Sequence, residues 1–120
     1  MSNICTKPII VIILLAITII VFSCGNRTDV FIERGDILLN SGEYDKAIMM
    51  YNNALEVNPF DKAALTSRGF AKYMEGDYDG SIEDNSKAIE IDPLLPDAHS
   101  TLGLTYLAKG NIEKALIYEL

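Results

Sequence analysis

Written in lines of 34 residues, the chain brings Gly35, Gly69 and Gly103 into one column and Gly42, Gly76 and Gly110 into another. The same offset carries Pro59 onto Pro93, Ala54 onto Ala88, Tyr44 onto Tyr78, and Ala47 through Ser81 to Ala115. A fixed period of this kind builds an array of equal units, each burying an apolar face against its neighbour. Within the first unit Phe31, Gly35 and Leu38 recur at helical spacing, as do Ala47, Tyr51 and Ala54, so each unit holds two amphipathic helices whose small residues let their axes approach closely.

The punctuation agrees. Ser41-Gly42-Glu43-Tyr44-Asp45 and Glu75-Gly76-Asp77-Tyr78-Asp79 each combine a glycine able to stop a helix with an Asp able to accept from the amides of the next, and Lys109 to Glu113 approximates the same chemistry. Pro59 and Pro93 forbid continuation of the second helix of a pair, and Pro96 suits a first helical turn. Helices are therefore predicted near 29–41, 45–57, 62–75, 79–91, 96–109 and 112–120.

These residues and this period resemble the tetratricopeptide repeat (TPR) family, with repeats at 28–61 and 62–95 and an incomplete one at 96–120. The resemblance implies an all-α fold, an α-solenoid of about 2.7 helix-turn-helix units. It covers everything after residue 27.

Ahead of the array, Ile9 to Phe22 is a run of 14 apolar or weakly polar residues preceded by Lys7. As a helix it spans about 21 Å, short of the roughly 30 Å hydrocarbon core, so it reads as a signal-peptide core over 1–23. Val21-Phe22-Ser23-Cys24-Gly25 resembles the lipobox of bacterial lipoproteins. That resemblance implies diacylglycerol on the Cys24 thiol, cleavage at Ser23–Cys24, acylation of the new amine, and a place in the bacterial cell envelope with outer-membrane sorting. An uncleaved anchor and an ordinary signal peptide are the alternatives. Residues 24–28 are expected to form a short tether carrying the lipidated cysteine, ahead of a repeat domain at 29–120.

Two repeats depart from the pattern. In the middle one Lys72 stands where a large apolar residue is expected, Ser81 replaces alanine and Asn85 occupies an aromatic place, so Asn85 needs a hydrogen bond or weakens the junction; Tyr73 is a candidate to turn inward and compensate. The third stops inside its second helix, which leads to the expectation of an apolar flank around Leu102, Tyr106, Leu116 and Ile117 left partly uncovered, and so of a truncated or oligomeric chain.

The inventory for catalysis is poor. His99 is the only histidine and takes the stripe place of Phe31 and Leu65, which reads as packing, and no metal cluster or cofactor motif is present. Asp77-Tyr78-Asp79 and Glu83-Asp84 lack the spacing of a calcium loop and read as helix caps. Cys5 and Cys24 have no partner in the repeat region, so no disulfide or zinc site is expected within one mature chain. Beyond residue 23 there are nine basic against 17 acidic side chains, a net of −8, which argues against nucleic acid and favours cationic or apolar partners.

The TPR resemblance also implies that the first helices of successive repeats line a concave, peptide-binding groove. The matching stripes are Ile32, Asp36 and Leu39, then Thr66, Phe70 and Tyr73, then Ser100, Leu104 and Leu107, flanked by Asn40 and Met74. Asp36, Leu39, Phe70, Tyr73, Leu104 and Leu107 are the groove candidates, with packing between helices as the alternative for Tyr73 and Leu107. Some TPR domains clamp a terminal carboxylate with basic residues, at places that here hold Ile32, Asp36, Ser67, Asp97 and Thr101. Acidic groups repel such a ligand, so a basic or apolar segment is expected instead. The sequence thus points to a non-enzymatic, lipid-anchored adaptor. Its rivals are a structural subunit that oligomerises through its third repeat, and a gene fragment.

Overall fold

The computed structural model describes residues 7–118, excluding the side chains of 7–8 and 21–26. Among these residues there are six helices: α1 (Lys7–Asn40), α2 (Tyr44–Val57), α3 (Lys62–Glu75), α4 (Tyr78–Ile91), α5 (Pro96–Ala108) and α6 (Ile112–Tyr118). The chain is all-α, a helix-turn-helix solenoid. Every predicted terminus from 41 onward falls within one residue of the observed one, apart from the end of α6, where 119–120 lie outside the described residues; the start predicted near 29 is no terminus, because α1 runs through it from Lys7.

The turns between paired helices are built alike. Gly42, Gly76 and Gly110 have φ of 79°, 87° and 75°, a left-handed conformation that disfavours a side chain by about 1–2 kcal/mol. Each glycine amide bonds three residues back and the next amide five back, as in Gly76 N to Tyr73 O (3.0 Å) and Asp77 N to Lys72 O (2.9 Å), so the last carbonyls of the helix are satisfied. The helix starts are less uniform. Asp61 accepts from Ala64 N, Asp77 from Gly80 N and Asn111 from Lys114 N, whereas α2 starts at Glu43 without a side-chain cap and Asp45 lies in its first turn. The cap expected of Asp45 is therefore absent.

Each helix packs on the next; beyond that, α1 meets α3 and α3 meets α5, while among the described residues the even-numbered helices do not meet one another. A stack whose first helices are the closer ones curves toward them, which makes α1, α3 and α5 the concave side. The core follows the glycine register. Gly35 lies where an added Cβ would come 2.5 Å from the Tyr51 ring, and Tyr51 is fully buried in that gap with Ala47 and Ala71 around it. Ala54, Leu55, Ala64, Leu65, Ala88 and Ala98 form the neighbouring cluster. Leu102, expected on the uncovered flank, is buried instead, while Leu116 and Ile117 are exposed.

The middle repeat replaces part of this apolar core with polar bonds. Asp84, 1 % exposed, receives both arms of Arg68 at 2.7 Å and the Lys72 ammonium at 2.9 Å, and Arg68 also donates to Asn52 (2.7 Å). Lys72 thus stands in its apolar place as a counter-ion for Asp84, and Glu83 pairs with Lys87 (2.7 Å), so the helix-cap reading of Glu83-Asp84 is wrong. Asp79 pairs with Lys109 rather than capping. Asn85 occupies Tyr51's place facing Gly69; its amide donates to Ser81 O (2.9 Å) but its Oδ1 has no partner. Tyr73 does not compensate, because it packs against the rings of Phe70 and Tyr78.

The structure also corrects the expected tether. α1 is one unbroken helix through 24–28, so the backbone there is helical. No proline interrupts residues 9–58, and Gly25 alone costs only about 1 kcal/mol in a helix. From Ile9 to Ile20 the bulky side chains of α1 are exposed on every face. Among the described residues no helix is long and apolar enough to cross a membrane. The lipidation candidate Cys24 has its side chain outside the described ones.

Candidate functional site: the concave groove

The concave side carries two adjoining clefts. One, of about 310 Å³, is lined by Leu39 of α1, Thr66, Ser67 and Phe70 of α3, and Asp97, Ser100, Thr101 and Leu104 of α5. Three of the six groove candidates, Leu39, Phe70 and Leu104, meet here. They meet because equivalent positions on α1, α3 and α5 face one side of the stack, and because Thr66, Ser67, Ser100 and Thr101 are small enough to leave the space between them. The second cleft, about 480 Å³, lies between α1 and the start of α3, against Asp29, Ile32, Glu33, Asp36, Ile37, Asn40, Asp61 and Ala63.

The remaining candidates fare differently. Asp36 lines the second cleft, but one of its oxygens accepts from the Tyr51 hydroxyl at 2.6 Å, so it also ties α1 to α2. Burial first, and this bond second, push the Tyr51 phenol well above its ordinary pKa, which keeps it a neutral donor. Tyr73 and Leu107 line neither cleft: Tyr73 is half-buried in an aromatic row with Phe70 and Tyr78, while Leu107 is exposed.

The electrostatics of the two clefts are one-sided. Lys46, Lys62, Arg68, Lys72, Lys87 and Lys109 are each paired with Glu43, Asp92, Asp84, Glu83 or Asp79. Among the described residues this leaves Asp29, Glu33, Asp36, Asp61 and Asp97 in the clefts without a cation. The sequence gives the composition of the groove, but not that six of the lysines and arginines are held by carboxylates elsewhere.

A third cleft, about 580 Å³, which sequence reasoning missed, lies at the end of the stack against Pro93, Leu94, Pro96, His99, Ser100, Leu104, Ile117 and Tyr118. His99 is half-buried there, its Nε2 2.8 Å from Pro93 O and its ring 5.9 Å from that of Tyr118. Among the described residues no group of three or more His, Cys, Asp or Glu could hold a metal ion.

Comparison with known proteins gives the fold a family. A "Tetratricopeptide repeat" profile matches residues 28–61 and a "TPR repeat" profile residues 69–110. No curated protein matches the chain. Among solved structures, the Sgt2 TPR domain from Aspergillus fumigatus is 28 % identical with a TM-score of 0.73, over 76 % of this chain and 60 % of that one. YrrB, described as a TPR protein with an unusual peptide-binding site, is 30 % identical with a TM-score of 0.72, over 77 % of this chain and 47 % of that one. The first TPR of Spaghetti (RPAP3), solved with the HSP90 peptide SRMEEVD, has a TM-score of 0.75 at 22 % identity, over 78 % and 74 % of the two chains, a likeness of fold alone. The 34-residue register, the left-handed turn glycines and the paired antiparallel helices thus have one common origin: residues 28–61 and 69–110 of this chain are tetratricopeptide repeats.

Proposed function

We propose that this chain is a membrane-anchored, non-catalytic scaffold that holds a segment of another protein in its concave groove, with lipid on Cys24 in the bacterial cell envelope. The observation that carries the groove reading is the meeting of Leu39, Phe70 and Leu104 in one cleft beside the carboxylates of the next. Partly exposed aromatic and aliphatic side chains in a concavity supply the desolvation that dominates peptide affinity, and carboxylates without a cation select for one. The anchor reading is supported by Val21 to Gly25 and by the all-round apolar stem of α1. Two acyl chains hold a protein stably where one does not.

Titration of the full chain in detergent with a fluorescein-labelled peptide of alternating lysine and leucine, and with its glutamate-for-lysine counterpart, tests this. The lysine peptide is expected to bind, to weaken with added salt, and to lose about tenfold or more in affinity in Phe70→Ala/Leu104→Ala. Equal binding of both peptides, unaffected by that double substitution, removes the groove from the account. For the anchor, the mass of the protein from its own membranes is expected to show loss of residues 1–23 and added acyl chains; an unmodified amino terminus refutes it.

A second reading, self-association through the third repeat, is supported by the exposure of Ile112, Leu116 and Ile117 on α6. Sedimentation of the full chain in detergent is then expected to show a concentration-dependent mass, and a monomer at all concentrations excludes it.

A further inference from the structure

Phe60 and Leu94 are more exposed, at 75 % and 85 %, than any other large apolar side chain among the described residues. They are 34 residues apart and so occupy the same place in successive repeats. Single exposed apolar residues are ordinary on a surface. These two differ in how they are held.

In each loop an Asx side chain two residues earlier accepts from the exposed residue's own amide, Asn58 Oδ1 from Phe60 N (3.2 Å) and Asp92 Oδ1 from Leu94 N (3.1 Å). The loops are then joined to each other, because Lys62 at the start of α3 reaches Asp92 Oδ2 at 2.6 Å. Two apolar side chains are thus presented on adjacent turns, each with its own backbone amide already satisfied. A polar group with its partner in place enters a less polar phase without the cost of a lost hydrogen bond.

The direction in which they point follows from the topology. α1 and α2 are antiparallel with Gly35 against Tyr51, so Val57 at the end of α2 is level with residue 29 on α1; Asp29 and Asp61 indeed share a cleft. Phe60, just beyond, lies level with about residue 26, which at about 1.5 Å per residue is only some 3 Å along the helix from the lipidation candidate Cys24. The α4–α5 loop is at the same edge through the Lys62–Asp92 bridge, and α6 ends there too, with Tyr118 against His99.

We propose that this edge rests on the lipid surface, with Phe60 and Leu94 seated among the headgroups and upper acyl chains. The proposal depends on the membrane anchoring argued above and adds what that anchoring does to the repeats. α1 would stand along the bilayer normal, the stack would advance parallel to the surface, and the groove would open sideways, so that a bound segment runs along the membrane. A lipid surface is favoured over a protein because the two side chains lie at nearly the level of Cys24, where the proposed acyl chains enter the bilayer.

The chain contains no tryptophan, so single tryptophans report their surroundings without background. Full chains carrying Phe60→Trp, Leu94→Trp or, at the opposite edge, Ile112→Trp would be reconstituted into phosphatidylcholine vesicles with and without brominated phosphatidylcholine, and flotation would confirm attachment. All three sites are exposed, so the fold should tolerate each change. Phe60→Trp and Leu94→Trp are expected to emit at shorter wavelength and to be quenched severalfold more strongly than Ile112→Trp. Equal quenching at all three sites in chains that float overturns the docked edge and leaves the anchor standing. Failure to float overturns the anchor, and the docked edge with it.

Discussion

At the scale of single residues, the middle repeat differs from the first by what fills the gap opposite its glycine. Gly35 admits the whole ring of Tyr51, which has no room to swing away. Gly35→Ala is therefore expected to lower stability by about 1–3 kcal/mol through overpacking, more than the roughly 1 kcal/mol gained in helix propensity. A lower thermal midpoint by circular dichroism checks this. Opposite Gly69 the same gap holds Asn85, whose buried Oδ1 is unsatisfied. An orphan of this kind costs about 1–3 kcal/mol, so Asn85→Leu, which has the same branching and number of side-chain heavy atoms, is expected to be neutral or to raise the denaturation midpoint. A drop as large as that of Gly35→Ala would show that the Asn85–Ser81 bond outweighs the orphan.

At the scale of elements, α3 and α4 are joined by charge where the first repeat uses packing. Arg68 and Lys72 both serve Asp84 inside the pair of helices. Asp84→Ala leaves two mostly buried cations unpaired and is expected to cost about 3–5 kcal/mol, measured by urea unfolding. Replacing Glu83, whose pair with Lys87 lies at the surface, should leave the urea midpoint nearly unchanged. The loop pair has a pH dependence of its own. Hydrogen bonds from Lys62 first, and then from the Leu94 amide, hold the Asp92 carboxyl below the usual carboxylate range. With the folded value below the unfolded one, the bridge contributes above the ordinary carboxylate pKa and is lost as the pH falls through the depressed value. The protection of the Leu94 amide, measured as exchange relative to the intrinsic rate, is expected to fall only under acid conditions and, in Lys62→Met, to be reduced throughout.

For the whole molecule, what decides recognition is where charge is left over. The six paired cations do not line the clefts, and among the described residues five carboxylates of the clefts have no cation partner. The HSP90 peptide SRMEEVD, bound by the similarly folded RPAP3 domain, carries three acidic side chains and is expected not to bind this chain at physiological salt. Asp29→Lys/Glu33→Lys should permit it if the groove's charge is the obstacle, as anisotropy of the labelled peptide would report. The sequence by itself determined the period, the helix boundaries from 41 to 112 to within a residue, the turn glycines, and the stripe that brings Leu39, Phe70 and Leu104 together. These are legible because helix, turn and face are set by residues a few places apart. Only the tertiary structure decided that Asp36 serves Tyr51, that Asp84 is a buried counter-ion rather than a cap, that α1 runs unbroken through 24–28, and that Phe60 and Leu94 share an edge. Such pairings cross between helices at separations of 15 residues or more, where a side chain's partner is chosen by which neighbour the stack delivers rather than by anything written beside it.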